Sequence, residues 1–179
     1  QIIRIIRRET QAAEVTPFEA YVLGLKTYLE LMEQKTLRPQ IKRLMEERGY
    51  RIFRYQEDAV QQALTVLEEY GGVILADVVG LGKSVIASWL ARELDGRGLV
   101  ICPPALIGDR RTRTTGWYKY LSDFGLFDWE VYSVGELDKV LDYLSQYGED
   151  INTIVVDEAH RFRNEDTEAY ERLSQICAN

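Results

Sequence analysis

Beyond Gly71-Gly72 the chain alternates short apolar runs with amphipathic stretches, and this rhythm restricts the fold more than any other feature. The runs are Val73–Ala76, Leu99–Cys102, Glu130–Ser133 and Thr153–Val156. Between them, Lys83–Leu94, roughly Ala105–Phe124 and Glu136–Tyr147 read as helices, and a last helix is expected over Asp166–Cys177. Strands separated by helices are not joined as hairpins. Each crossover brings the chain back to lay the next strand parallel to the last, with helices on both faces. The expected fold class is therefore α/β, with a mostly parallel sheet flanked by helices.

A small helical segment precedes this core. Thr16 is placed to cap a helix, Pro17 fits its first turn and Glu19 is the acid of a capping box. Phe18, Tyr21, Val22, Leu25, Tyr28, Leu29 and Met32 follow at helical spacing. A second helix is expected from Pro39 to Arg48, stopping at Gly49. A third covers Tyr55–Tyr70, with Ala59, Val60, Ala63, Leu64 and Leu67 on one face. The boundary falls near Gly49–Arg54, giving a helical extension or linker over 1–51 and a core domain over 52–179. Residues 1–8 mix four isoleucines with three arginines behind an initial Gln. The expectation is a piece of a longer protein.

Composition narrows the classes. At 179 residues, 46% apolar and 28% charged, the chain suits one globular domain with a full core. No apolar run approaches a bilayer span and no signal-peptide pattern opens it, so no membrane partner is expected. Cys102 and Cys177 lack metal-ligand spacing and read as small buried hydrophobes, which fits a reducing, cytoplasmic location. A single histidine leaves neither a zinc site nor a histidine-based triad. The net charge of −7 excludes a simple basic nucleic-acid-binding module. It is uneven: residues 1–54 hold 11 Lys/Arg against 7 Asp/Glu, a net +4, and residues 55–179 hold 11 against 22, a net −11.

Two segments carry chemistry. Val73–Ala76 leads into Asp77-Val78-Val79-Gly80-Leu81-Gly82-Lys83-Ser84, an apolar run, a glycine-containing loop and a helix start. Glycines let backbone N–H groups wrap phosphate oxygens, Lys83 supplies charge to the β- and γ-phosphates, and Ser84 is a Mg²⁺ ligand. The plainer alternative is a β–α turn with a surface lysine. The second segment is Ile154-Val155-Val156 running into Asp157-Glu158-Ala159-His160. Asp157 can hold Mg²⁺ through water, and Glu158 can polarise an attacking water, if this strand end lies beside the loop. Its plainer alternative is an exposed acidic turn.

Together, DVVGLGKS and DEAHRFRN resemble motifs I and II of superfamily-two helicases, closest to the Swi/Snf-type ATPases and their bacterial relatives. In that family an acidic residue commonly stands where the general loop has its first glycine, so Asp77 fits. Arg54-Tyr55-Gln56 resembles the adenine-reading glutamine motif, and Leu99–Leu106 resembles motif Ia, whose loop touches the nucleic-acid backbone in relatives. Val78 and Ser84 depart from the commoner glutamate and threonine. The resemblance covers residues 52–179 and implies the first RecA-like, ATP-binding lobe of a P-loop motor, truncated after motif II.

By this resemblance Gln56 reads adenine, while Asp77, Gly80, Leu81, Gly82, Lys83 and Ser84 form the ATP-binding loop. Lys83, Asp157 and Glu158 are the catalytic set, Ser84 and Asp157 hold Mg²⁺, and His160 couples the site to a second lobe. Pro103, Pro104, Arg110, Arg111 and Arg113 are candidates for nucleic-acid contact, with a solvated polar turn as the alternative for the arginines. Trp89, Trp117 and Trp129 read as core and interface residues rather than base-stacking platforms. Arg161 and Arg163 suit pairing with local carboxylates or with the second lobe. Val15–Glu30 loosely resembles the stretch before the motor in bacterial proteins that join a phospholipase-D-like nuclease to a helicase; a helical brace is preferred.

The implied activity is ATP-driven movement on nucleic acid, with ATP and Mg²⁺ as cofactors. Translocation on duplex DNA is preferred to strand separation, and the choice between DNA and RNA is left open. The implied partner is a second RecA-like lobe of the same full-length chain. Relatives complete the nucleotide site with arginines from that lobe. The isolated chain is therefore expected to bind adenine nucleotide weakly and to turn it over poorly. The competing classes are a non-catalytic interaction module derived from a helicase and another P-loop ATPase or small-molecule kinase.

Overall fold

The computed structural model describes residues 16, 18–19, 21–24, 36–76, 82–164 and 166–178. Among the described residues nine elements carry the fold: α1 (Pro39–Glu47), α2 (Arg54–Tyr70), α3 (Lys83–Leu94), β1 (Arg97–Cys102), α4 (Gly116–Asp123), β2 (Glu130–Ser133), α5 (Leu137–Tyr147), β3 (Ile151–Val156) and α6 (Glu168–Ala178). The three strands form an all-parallel sheet in the order β2-β1-β3. This is the expected α/β class, a parallel sheet with helices on its faces.

The centre of the sheet is buried on both sides. Leu99, Val100, Ile101 and Cys102 have no exposed surface. Because strand side chains alternate faces, Val100 and Cys102 enter one core with Ile86, Trp89, Trp117 and Trp129. Leu99 and Ile101 enter another with Val140, Leu144, Phe162 and Ile176. Each such side chain contributes about 1.5–3 kcal/mol of burial free energy. Residues of the upstream segment share the first core, since Leu37, Ile41 and Met45 are buried there.

A carboxylate fixes that upstream segment in place. Glu93 of α3 is only 4% exposed, and it accepts hydrogen bonds from the Trp89 indole (3.0 Å), the Arg38 backbone N–H (3.1 Å) and the Arg38 guanidinium (3.1 Å). Arg38 also reaches Asp95 at 2.6 Å and the Arg92 carbonyl. A buried charge is stable only when its lone pairs are met in this way.

Three expectations are corrected. Val73–Ala76 is not a strand. Val73 and Leu75 pack on the first core, while Ile74 is 87% exposed, so the alternation survives without a ladder. An apolar run becomes a strand only where a neighbouring edge accepts its backbone, and among the described residues no strand pairs with this one. The helix expected over Ala105–Phe124 is reduced to α4, preceded by a 3₁₀ turn at Pro104–Leu106. Gly108 (φ +84°), Arg113 (φ +52°) and Gly116 (φ +58°) adopt left-handed backbone, which interrupts any helix there. Cys177 is exposed, because α6 buries Ile176 and turns its neighbour outward; Cys102 is buried as expected.

The other helices lie within two residues of their expected bounds. Thr16 and Glu19 form the expected capping box, with Thr16 Oγ1 accepting the Glu19 N–H and Glu19 accepting the Thr16 N–H. Pro17, Leu25, Tyr28, Leu29 and Met32 lie outside the described residues.

Two substitutions test this packing. At Gly98 of β1 a Cβ would stand 2.5 Å from the Thr153 carbonyl oxygen and 2.6 Å from the Trp129 ring. Gly98→Ala is expected to cost about 1–3 kcal/mol in urea unfolding. Gly72→Ala, with nothing near its Cβ, stays within about 0.5 kcal/mol, and equal effects would contradict the account. Glu136, before α5, is held at about 2 by Lys139 and by the Ser133 N–H. A carboxyl depressed on folding stabilises above its ordinary value of 4.5 and loses that contribution as pH falls toward 2. Glu136→Gln should therefore flatten the fall in Tm across that window, and an unchanged acid limb would count against it.

Candidate functional site

Parallel strands end together, so the carboxyl ends of β1 and β3 meet on one rim of the sheet. There the Asp157 N–H donates to the Ile101 carbonyl at 2.8 Å, and the chain leaves β3 into the acidic turn. Beside this rim a cleft of about 190 Å³ is lined by Ser84, Gly116, Trp117, Lys119, Tyr120 and Asp157. The fold thus brings Ser84, at the start of α3, and Asp157, at the end of β3, onto one surface. Their hydroxyl and carboxylate oxygens are the hard donors that suit Mg²⁺. Among the described residues no three His, Cys, Asp or Glu side chains cluster around a metal position. Mg²⁺ needs no such cage, since it usually keeps several waters and takes one or two protein oxygens beside substrate phosphates.

Gln56 is buried on the first turn of α2, where its Oε1 accepts the Phe53 N–H at 3.3 Å. Its amide nitrogen would stand 3.0 Å from a Cβ on Gly82, so the glutamine lies against the end of the glycine loop. Gly82, at φ +81°, turns the chain directly into α3, and Lys83 and Ser84 open the helix half-buried. Asp77, Val78, Gly80 and Leu81 lie outside the described residues.

The two acidic residues occupy different surroundings. Asp157 is half-buried and both of its oxygens accept hydrogen bonds: Oδ1 from the Glu158 N–H at 2.9 Å and Oδ2 from the Trp117 indole at 2.8 Å. Beneath it, burial and then the Asp157 charge push the Cys102 thiol up to about 12, so this cysteine stays protonated. Glu158 is exposed and left-handed at φ +56°, uncommon for a residue with a side chain. His160 Nδ1 lies 3.1 Å from its carboxylate. Phe162, two residues on, is buried in the second core and anchors the turn, whereas Arg161 and Arg163 are exposed.

The proposed nucleic-acid contacts are dispersed. Pro103 is buried and Pro104 opens the exposed 3₁₀ turn. Between Gly108 and Gly116 the chain closes a loop: Asp109 Oδ1 accepts the N–H groups of Arg111 and Thr112, and the Asp109 carbonyl accepts that of Arg113. Arg110 pairs with Glu130 at 2.8 Å. The Arg113 guanidinium lies 5.8 Å from the ring centres of both Tyr118 and Phe127. Arg111 is the loop arginine whose side chain is exposed without such a neighbour among the described residues.

The sequence reading missed Trp117 as a site residue, and Lys119 and Tyr120 beside it. A buried indole requires a hydrogen-bond acceptor. Nothing in local spacing pairs position 117 with a carboxylate forty residues later.

Comparison with known proteins yields two partial similarities. Over 126 residues the chain is 30% identical to the SWI/SNF-related matrix-associated actin-dependent regulator of chromatin subfamily A-like protein 1 homolog of Caenorhabditis elegans, covering 69% of this chain and 16% of that protein. Over 81 residues it is 31% identical to a protein of Acanthamoeba polyphaga mimivirus named as an ATP-dependent RNA helicase, covering 44% of this chain and 15% of that one. The chain thus spans about a sixth of the length of these relatives. No family description and no solved structure matches it. The similarities support a helicase-like ATPase origin. Among the described residues no helix is long and apolar enough to cross a membrane.

The stem of the arginine loop is sensitive to a single methyl group. A Cβ on Gly108 would collide with the Thr115 carbonyl, whereas one on Gly135 meets only Ser133 Oγ at 3.7 Å. Gly108→Ala is expected to open the loop and speed trypsin cleavage at Arg110, Arg111 or Arg113 several-fold, with Gly135→Ala as the unchanged control. Equal cleavage of both variants would contradict a closed stem.

Proposed function

We propose that this chain is the nucleotide-binding part of an ATP-driven nucleic-acid motor of the Swi/Snf-like type, acting as a translocase on duplex DNA. The observation that carries the reading is the convergence of Ser84 and Asp157 on one cleft, with Gln56 against the end of the glycine loop. A cleft of about 190 Å³ is below the usual range for whole ligands, and it suits a phosphate-and-metal portion with the base bound elsewhere.

In this reading Gln56 hydrogen-bonds the adenine, and the loop from Asp77 to Gly82, including Gly80 and Leu81, wraps the phosphates with backbone N–H groups. Lys83 places its ammonium on the β- and γ-phosphates. Ser84 and Asp157 would hold Mg²⁺, which when bound neutralises charge on the phosphate oxygens. Glu158 takes the proton of the attacking water, for which an exposed carboxylate beside Asp157 is accessible. His160, within reach of Glu158, carries the state of the nucleotide site to a second RecA-like lobe. Of the three loop arginines, Arg111 is best disposed for a nucleic-acid phosphate, because Arg110 and Arg113 already have neighbours. One relative is named for chromatin regulation and the other as an RNA helicase, so the names support a nucleic-acid track, and duplex DNA is the reading preferred here.

Binding of a fluorescent ATP analogue to the chain tests the nucleotide site. Lys83→Ala is expected to weaken binding at least tenfold, the order of a charge-assisted contact. Unchanged affinity would refute the reading. Glu158→Gln should keep the affinity. In the longer protein that carries this segment, it should lower duplex-stimulated ATP hydrolysis by roughly 10²-fold or more. A hydrolysis rate indifferent to duplex DNA would remove the translocase.

A further inference from the structure

The three tryptophans of the chain are all buried, and each indole N–H has an assigned acceptor. Trp89 donates to Glu93 (3.0 Å), Trp129 to the Gly96 carbonyl (3.1 Å) and Trp117 to Asp157 Oδ2 (2.8 Å). The first two acceptors belong to the packing between elements. The third is the carboxylate at the carboxyl end of β3, on the cleft that also holds Ser84.

We infer that Trp117 is a positioning residue for the metal-holding carboxylate: its indole N–H fixes Asp157 so that the oxygen lone pairs left free face the cleft. The inference rests on the reading of Asp157 as the carboxylate that holds Mg²⁺. A carboxylate offers about four lone-pair sites. In Asp157 the Glu158 N–H takes one on Oδ1 and Trp117 takes one on Oδ2, leaving one on each oxygen. An indole suits the task because it only donates and cannot compete for a cation. Hydrogen bonds from outside the ligand set orient metal ligands in this way generally.

The supporting structure is closely packed. Trp117 is 3% exposed and its ring meets Tyr120 edge-on at 5.8 Å. It occupies the first turn of α4 directly after Gly116, whose Cβ would stand 2.5 Å from both the Leu106 carbonyl oxygen and the Gly108 nitrogen. The Tyr118 N–H donates to the Ile107 carbonyl at 3.2 Å. The loop stem thus sets the indole, the indole sets the carboxylate, and the carboxylate shares its cleft with Ser84.

The test measures Mn²⁺ binding by electron paramagnetic resonance with a slowly hydrolysed ATP analogue, for the wild-type chain, Trp117→Phe and Asp157→Asn. Phenylalanine keeps an aromatic ring and removes the N–H. Trp117→Phe is expected to weaken Mn²⁺ affinity by roughly 10- to 100-fold, while analogue binding in EDTA stays unchanged. Wild-type Mn²⁺ affinity in Trp117→Phe beside a deficient Asp157→Asn overturns the positioning role and leaves Asp157 as the metal-holding group. Full Mn²⁺ binding by Asp157→Asn, or none by the wild type, overturns the underlying reading as well. A second measurement needs no altered tryptophan: indole ¹⁵N–¹H resonances of the wild type, with Trp89 and Trp129 as internal references. Mg²⁺ with the analogue should move the Trp117 resonance most. An unmoved Trp117 resonance overturns the inference even if Trp117→Phe fails to fold.

Discussion

The arrangement depends on β1 being closed on every side. It is paired with β2 along one edge and β3 along the other, and its last four residues are fully buried on both faces. A parallel strand in that position has only two routes for polar groups, into its ladders or out at its ends. The ladders take the backbone. The acidic residues can therefore appear only at the rim, and Asp157 is the residue at which β3 leaves the sheet, its N–H still bonded to Ile101 of β1. The position of the carboxylate is thus a consequence of the sheet register.

This explains what was legible in the sequence. The strand at Leu99–Cys102 was readable because full burial demands a continuous apolar run. Those at Glu130–Ser133 and Thr153–Val156, which are only partly buried, were readable from their place in the alternation with helices, and α2, α3 and α5 because one buried face leaves a helical period. Val73–Ala76 has the same composition and is not a strand, since composition records the wish for burial and not the presence of a partner edge. The stretch after Leu106 misled for another reason. Its apolar residues Trp117, Tyr118 and Leu121 belong to a real helix, but Gly108, Asp109 and Gly116 impose a closed loop before it. Loop chemistry at two glycines outweighed a helical period carried by residues further on.

For the site, the sequence brought Ser84 and Asp157 to notice as separate motifs, and the parallel topology put them on one cleft. The three arginines Arg110, Arg111 and Arg113 looked equivalent in the sequence. In the fold they are not, because Glu130 engages one and the rings of Tyr118 and Phe127 border another. Those neighbours come from later elements, which no local reading reaches. Trp117 was hidden in the same way. Its hydrophobic bulk is legible, whereas the destination of its single N–H is a tertiary fact.

The contrast between Asp157 and Glu158 follows from these constraints. Asp157 directly follows Val156, the last register position of β3, with its N–H still bonded to Ile101, and its carboxylate is held by a backbone amide and a buried indole. One residue later the chain is outside the ladder. Glu158 takes a left-handed conformation that costs about 1–2 kcal/mol for a residue with a side chain, and the cost is borne because Phe162 anchors the turn in the second core. The sharp reversal puts its carboxylate in solvent, where His160 is the neighbour at hydrogen-bonding distance among the described residues. A group that holds a cation gains from being fixed, and a group that receives a proton from water gains from access. On the roles proposed for them, Asp157 and Glu158 meet both demands because the last ladder hydrogen bond is made at the first and the chain turns away at the second.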